Sequence, residues 1–283
     1  MTLFAKPARL ITAVVGLMLL GSIVLAQFEG GNPFRDNFSR RGRYNRDRGP
    51  ERGARNDWEI DERFEHDAFR FARVKYTSYG WRDKWAVDFP ESDLNLPHRL
   101  RELTSMEVHP ESVIVELTDE SLSDYPFLYL VEPGNMNLSE SEVNGLRRYL
   151  LNGGFLMVDD FWGEDEWRNF YDNIKRVFPN REPEELPLEH DIFHLVYDLA
   201  EKPMIISIGA WMRGNHTERH DAQEPHYKGI FDDKGRMMVV ICHNTDLGDG
   251  WEEEGVDPRY FKEYSERFAY PLGINIITYA MTH

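Results

Sequence analysis

Four groups of side chains in this 283-residue chain carry enough chemistry to form a site. Asp159 and Asp160 stand together after the apolar run Phe155-Leu156-Met157-Val158. His243, Asn244 and Asp246 follow a second run, Met237 to Cys242, and Asp88, Asp93 and Asn95 read as loop residues after the first strand candidate, Phe71 to Tyr76. Glu132 and Asn135 come after a further run, Phe127 to Val131. Carboxylates are hard oxygen donors suited to Mg or Ca, and an imidazole beside them widens the choice of divalent cation. Asp159, Asp160, His243 and Asp246 are therefore the metal candidates; Asp88, Asp93, Asn95 and Asn244 complete the candidate ligand set. Aspartate and asparagine also cap helices and stabilise turns, so capping and ligand contact both stay open.

Other spacings carry less. His190-Asp191-Ile192-Phe193-His194 has the i, i+4 histidines of a zincin, but aspartate stands where that motif has its glutamate base and is one methylene shorter. Pro187 and the acidic residues before it predict a turn there, and His216, His220 and His226 read as surface or turn residues beside the alternative of a closed zinc site. The acidic run Asp246 to Asp257 does not alternate ligands as an EF-hand loop does, and is expected to be a solvated loop over a packed Trp251. Cys242 is the only cysteine. Adjacent strand residues face opposite ways, so Cys242 and His243 do not form a nucleophile and base, and Cys242 is expected to be a buried apolar residue. No Gly-x-Ser-x-Gly elbow, P-loop or dinucleotide fingerprint occurs. The tryptophans at 81, 85, 162, 211 and 251 are expected to fill the core, with stacking on a ligand as the alternative.

These candidates matter only if the elements bring them together. Phe71 to Tyr76, Val113 to Val115, Phe127 to Val131 and Phe155 to Val158 read as strands. Ser139 and Glu142 form a capping box, Val143, Leu146, Leu150 and Leu151 give the helix after it one apolar face, and Gly153-Gly154 ends it. A strand apolar on both faces directly after that helix predicts a buried parallel sheet. A helix follows from Glu164 to Val177. Ile230-Phe231 and Met237 to Cys242 flank Asp232-Asp233-Lys234-Gly235 as a hairpin. Beyond Pro258 a terminal helix is expected, kinked or split at Pro271. The fold class is α/β: three layers, a mostly parallel sheet between helices, with a late hairpin and a C-terminal helix. In such sheets ligands bind beyond the carboxyl ends of the strands, which is where the candidates fall.

The block Leu146-Arg147-Arg148-Tyr149-Leu150-Leu151-Asn152-Gly153-Gly154-Phe155-Leu156-Met157-Val158-Asp159-Asp160 resembles the class I glutamine amidotransferase-like (flavodoxin-like) fold, and more closely the bacterial family called domain of unknown function 4159. Trp85 to Asn95, Ile241 to Trp251 and Tyr270 to Asn275 are similar to that family as well, so the resemblance spans about residues 70 to 281. It implies the three-layer fold and an association with membrane-linked modules. An amidotransferase would place an activated cysteine after the central strand. Asp159-Asp160 stands at the comparable tip, so the resemblance does not carry that nucleophile over, and fold alone confers no activity.

Charge and the N-terminus bear on location. Lys6 and Arg9 precede an apolar run from Leu10 to Ala26, and Val24-Leu25-Ala26 is a cleavage pattern, so residues 1–26 read as an export signal cut after Ala26. Retention as an anchor is the alternative, since the run falls just short of the roughly 20 residues of a span. Residues 27–57 hold eight arginines and five acids with few aliphatics, and predict a disordered basic linker. The signal carries +2 and the linker +3 of a total of −17, which leaves −22 on residues 58–283, a single domain. Such a surface repels nucleic acid and favours cations or basic partners. Membrane contact is expected only through an uncleaved N-terminus. Two functions fit an exported, periplasmic or extracellular chain: a non-catalytic envelope module that binds a partner protein or small ligand, and a metal-assisted hydrolase at the strand tips. The first is favoured, and no catalytic residue is assigned.

Overall fold

The computed structural model describes residues 56–61, 63, 67–80 and 83–283. The expected signal segment, all of the linker but its last two residues, and Trp81 lie outside them. Asn56 already bonds to the carbonyls of Leu94 and Pro110, and the Trp58 indole to that of Val108.

Seven strands form one sheet: β1 Ala72–Lys75, β2 Val113–Glu116, β3 Phe127–Val131, β4 Phe155–Asp159, β5 Glu184–Glu185, β6 His226–Phe231 and β7 Met237–His243. Their spatial order is β2-β1-β3-β4-β7-β6-β5. The first five in that order run parallel, and the hairpin strand β6 and the short β5 are antiparallel additions at one edge. Phe127 to Val131 and Phe155 to Asp159 are buried at every position, as strands covered on both faces must be.

Helices cover the two faces. On one lie α1 Glu91–Leu103, α5 Leu247–Glu252 and the terminal helix, through Leu96, Leu100, Trp251, Leu272, Ile276 and Tyr279. On the other lie α2 Glu140–Leu151 and α3 Gly163–Val177, through Val143, Leu146, Leu150, Phe170 and Ile174. The layer count, parallel sheet, hairpin and terminal helix are as the sequence predicts. Since β1 connects to β2 through α1 on one face and β3 to β4 through α2 on the other, the winding reverses between β1 and β3. In open parallel sheets ligands bind beyond the carboxyl ends of the strands at such a reversal.

Local rules explain the boundaries. Ser139 accepts from the Glu142 amide at 3.3 Å and donates its own amide to Glu142 Oε2 at 2.7 Å, which closes the capping box. Gly153, at φ 107°, ends α2 as expected. Two elements depart from expectation. Asp93 and Asn95, read as loop residues, sit on α1, because Pro97 lies inside that helix and masks its pattern. An internal proline costs about 3 kcal/mol, and burial of Leu96 and Leu100 offsets it. At the other end, α6 Pro258–Tyr260 runs into a π-helical stretch, Phe261–Ala269, and then α7 Tyr270–Thr282. Tyr270 donates its amide to Ser265, five residues back. Pro271 has no amide to continue that ladder, and the α pattern resumes there. The proline changes the hydrogen-bond period without ending the helix. A short helix, α4 Ile208–Met212, lies in the excursion between β5 and β6.

Candidate functional site

Among the described residues, four other than glycine adopt left-handed backbone: Asp88 (φ 61°), Glu132 (φ 51°), Asp160 (φ 54°) and Asn244 (φ 59°). Glu132, Asp160 and Asn244 each come directly after a strand, β3, β4 and β7, and Asp88 lies in the connection that leaves β1. Left-handed geometry is costly for a residue with a Cβ, and aspartate and asparagine tolerate it best. Here it turns the chain sharply where it leaves the strands.

Asp88, Asp160 and Asp246 converge: one carboxylate oxygen of each lies within 4.8 Å of those of the other two. A second group, Asp88, Asp249 and Glu252, meets the same limit and shares Asp88. Asp160, Asp246 and Asp249 are buried. Asp159, wholly buried at the end of β4, adjoins them. Its Oδ2 accepts from the Tyr129 hydroxyl and the Gly248 amide, each at 3.1 Å, while Oδ1 has no hydrogen-bond partner. Asp88 Oδ2 is likewise buried and unpartnered. Asp246 Oδ1 takes the Asp249 amide at 2.8 Å and so caps α5. Asp160 Oδ1 accepts the Trp162 indole proton at 3.0 Å.

Gly248 lets these groups approach. A Cβ there would lie 2.6 Å from Asp88 Oδ2, 2.8 Å from the Tyr129 hydroxyl and 3.3 Å from Asp246 Oδ1, and the first two distances are closer than any Cβ contact allows.

The electrostatics follow from crowding like charges away from water. Burial first, then Glu252 and Asp249, pushes Asp88 well above the ordinary carboxylate range. Burial, then Asp160 and Asp249, does the same to Asp246. Asp159 is pushed up to about 7 by burial and then by Asp160. Glu132 is also pushed up to about 7 by burial and Asp160, although its ion pair with Lys84 opposes the rise. Protons or a cation must offset so much buried negative charge.

The remaining candidates lie elsewhere. Asp93 pairs with the buried Arg73, whose Nε reaches both of its oxygens at 2.9 Å. Asn95 donates to the Trp251 carbonyl at 2.7 Å. Asn244 accepts the Gly163 amide at 2.9 Å and donates to the Glu224 carbonyl, so it fixes the start of α3. His243 turns to the opposite face, where Nε2 meets the Gly163 carbonyl and the ring lies 4.8 Å from Phe161 and 5.1 Å from Trp167. Burial first lowers it to about 4. Cys242 is buried, and burial pushes its thiol well above its ordinary value, which leaves no thiolate for attack.

Asp249, Glu252, Arg73 and Tyr129 were not among the sequence candidates. The stretch expected to be a solvated loop from Asp246 begins instead as α5, with Leu247 through Trp251 buried. The signal for it was present, since an aspartate three residues before Asp249 has the spacing of an N-cap.

Glu132, Asp160 and Asn244 thus turn at strand tips within one contiguous stretch of chain. The family described as Domain of unknown function (DUF4159) matches residues 70–281, which contain the whole sheet and every carboxylate of the cluster. No curated protein matches the chain. With three quarters of its length covered by that match, the chain belongs to the Domain of unknown function (DUF4159) family.

Proposed function

We propose that this chain is an exported envelope module whose sheet edge binds a divalent cation between Asp88, Asp160 and Asp246 and, through that edge, engages a partner protein or small ligand. The convergence of these three carboxylates within 4.8 Å carries the reading. Their connections leave three different strands, so capping of a single turn does not explain their meeting. All the donors are oxygens, which favours Mg, Ca or Mn over Zn. The orphan oxygens of Asp88 and Asp159 support the same reading, because a buried acceptor without a donor is costly. The segment 1–26 and the charge of −22 on the domain support an exported, cation-attracting surface.

Calorimetric titration of the chelator-stripped chain with Mg, Ca and Mn tests the site. Heat and a raised melting temperature are expected, both reduced in Asp160→Asn; a silent titration with no melting shift defeats the reading.

One observation favours the metal-assisted hydrolase as a second reading. Asp159, raised to about 7 beside Asp160, holds its proton loosely near neutrality and is suited to accept one from a water on the cation. A hydrolase screen with and without chelator separates the readings. Activity that needs the cation and vanishes in Asp159→Asn supports the second.

A further inference from the structure

The carboxylate cluster divides into two groups that share one member. Asp88, Asp160 and Asp246 form the first, and Asp88, Asp249 and Glu252 the second, each with donor oxygens within 4.8 Å of one another. Oxygen ligands lie about 2.0 to 2.6 Å from Mg or Ca, so two donors on one ion are separated by at most about 5 Å. Each group therefore fits around one ion. Asp88 alone belongs to both.

We infer that the cluster is a two-cation centre with Asp88 as the bridging carboxylate, one ion held with Asp160 and Asp246 and the other with Asp249 and Glu252; this rests on the cation-binding reading above.

Three observations other than the acidity support it. Asp159, next to Asp160 in the chain, is wholly buried and its Oδ1 has no donor. Asp88 Oδ2 is buried and lacks a donor too, so its lone pairs are available to a cation. Gly248 leaves open the space that a Cβ would take from Asp88, Tyr129 and Asp246. No cationic side chain fills the role: among the described residues, Arg73 is committed to Asp93 and Lys84 to Glu132. A pair of ions that share a carboxylate is a recurrent way to hold oxygen-rich ligands at an open edge.

Manganese alone is the probe. The full chain, stripped with chelator, is titrated with Mn by calorimetry and followed by electron paramagnetic resonance. The expected result is two Mn per chain, with the signal of the first broadened by magnetic coupling as the second enters. Glu252→Gln is expected to bind one Mn with an uncoupled signal, and Asp88→Asn to lose both ions. A wild-type stoichiometry of one, unchanged by Glu252→Gln, overturns the two-cation inference and leaves the single-cation reading standing. No Mn bound to the wild-type chain overturns both. The wild-type stoichiometry decides the matter even if a variant fails to fold.

Discussion

The connection that leaves β1 and the first turn of α1 hold two aspartates five residues apart and give them opposite company. Asp93 receives a full arginine. Arg73 Nε reaches both of its oxygens at 2.9 Å, Nη1 donates to the carbonyls of Trp85 and Val87, Nη2 donates to Ser92, and the guanidinium lies 5.0 Å from the Tyr129 ring centre. Asp88 receives carboxylates instead: Asp160, Asp246, Asp249 and Glu252. Asp88 lies in the loop and is partly buried, Asp93 in the first turn of α1 and wholly buried, so it is the more exposed of the two that lacks a cation. Arg73–Asp93 satisfies its own charge and fixes the loop, and the loop then delivers Asp88, whose charge the chain leaves unmatched. A fold tolerates such a residue where something other than the chain neutralises it.

The largest expected effect comes from acidity, which acts on one half of this contrast only. Folded Asp159 holds its proton up to about pH 7 and Asp88 and Asp246 well above the ordinary range, whereas the unfolded chain releases these protons near pH 4. The folded state therefore binds more protons across that window, and its stability falls as pH rises from about 4 through 7. One carboxyl moved from 3.8 to about 7 represents on the order of 4 kcal/mol, or roughly 10 °C in melting temperature for a domain of this size. Scanning the metal-free chain from pH 4 to 8.5 should show this fall, and saturating Mg should abolish it. A flat metal-free profile would show that the cluster is already neutralised from within.

Arg73→Met strikes the other half. It leaves Asp93 buried and unpaired, and is expected to cost about 3 to 5 kcal/mol in urea unfolding. Asp93→Leu on top of it should recover most of the loss, because the orphaned charge and not the missing ion pair is the expensive part.

The two halves were unequally legible. Asp88, Asp160 and Asp246 could be nominated because a polar residue after a doubly apolar run marks a strand tip, and strand tips of parallel sheets converge. Arg73 could not, since one charged residue inside a strand reads as its solvent face, and only the tertiary structure shows that both faces of β1 are covered. Pro97 concealed α1, and with it the fact that Asp93 belongs to a helix that packs on the sheet. Asp249 and Glu252 were lost in a run of acids that resembles solvated loop by composition, although Asp246 caps the helix that contains them. His243 exposes a different limit. Alternation puts it opposite Cys242, but it does not say which face the acids will choose. The side chain of Asp159 shares the face of Tyr129 and Cys242, and His243 is left among Phe161 and Trp167.

Gly248→Ala tests whether the unmatched half depends on close approach. Its Cβ would enter the space of Asp88 Oδ2 and the Tyr129 hydroxyl, and overpacking of this kind costs about 1 to 3 kcal/mol. The loss of cation affinity should exceed what the change in melting alone suggests, since the variant moves the donors themselves. Equal affinity in the variant and the wild-type chain would place the ion away from Gly248.

The smallest expected effect is the most discriminating, because its sign is unusual. Asp246→Asn removes a buried charge from the cluster but retains an oxygen that can accept the Asp249 amide and keep α5 capped. Most buried substitutions destabilise. This one relieves the repulsion from Asp160, Asp249, Asp88 and Asp159 that raises the Asp246 carboxyl, so at pH 8 without metal the variant should be more stable by about 1 kcal/mol. With Mg present the order should reverse, as the wild-type chain gains the binding energy of the ion and the variant does not. An exchange of rank between the two chains on adding metal, read as crossing melting temperatures, ties the unmatched charge to the ion. If the variant is the less stable in both conditions, Asp246 serves the fold as Asp93 does, and the contrast between the two aspartates narrows to Asp88 alone.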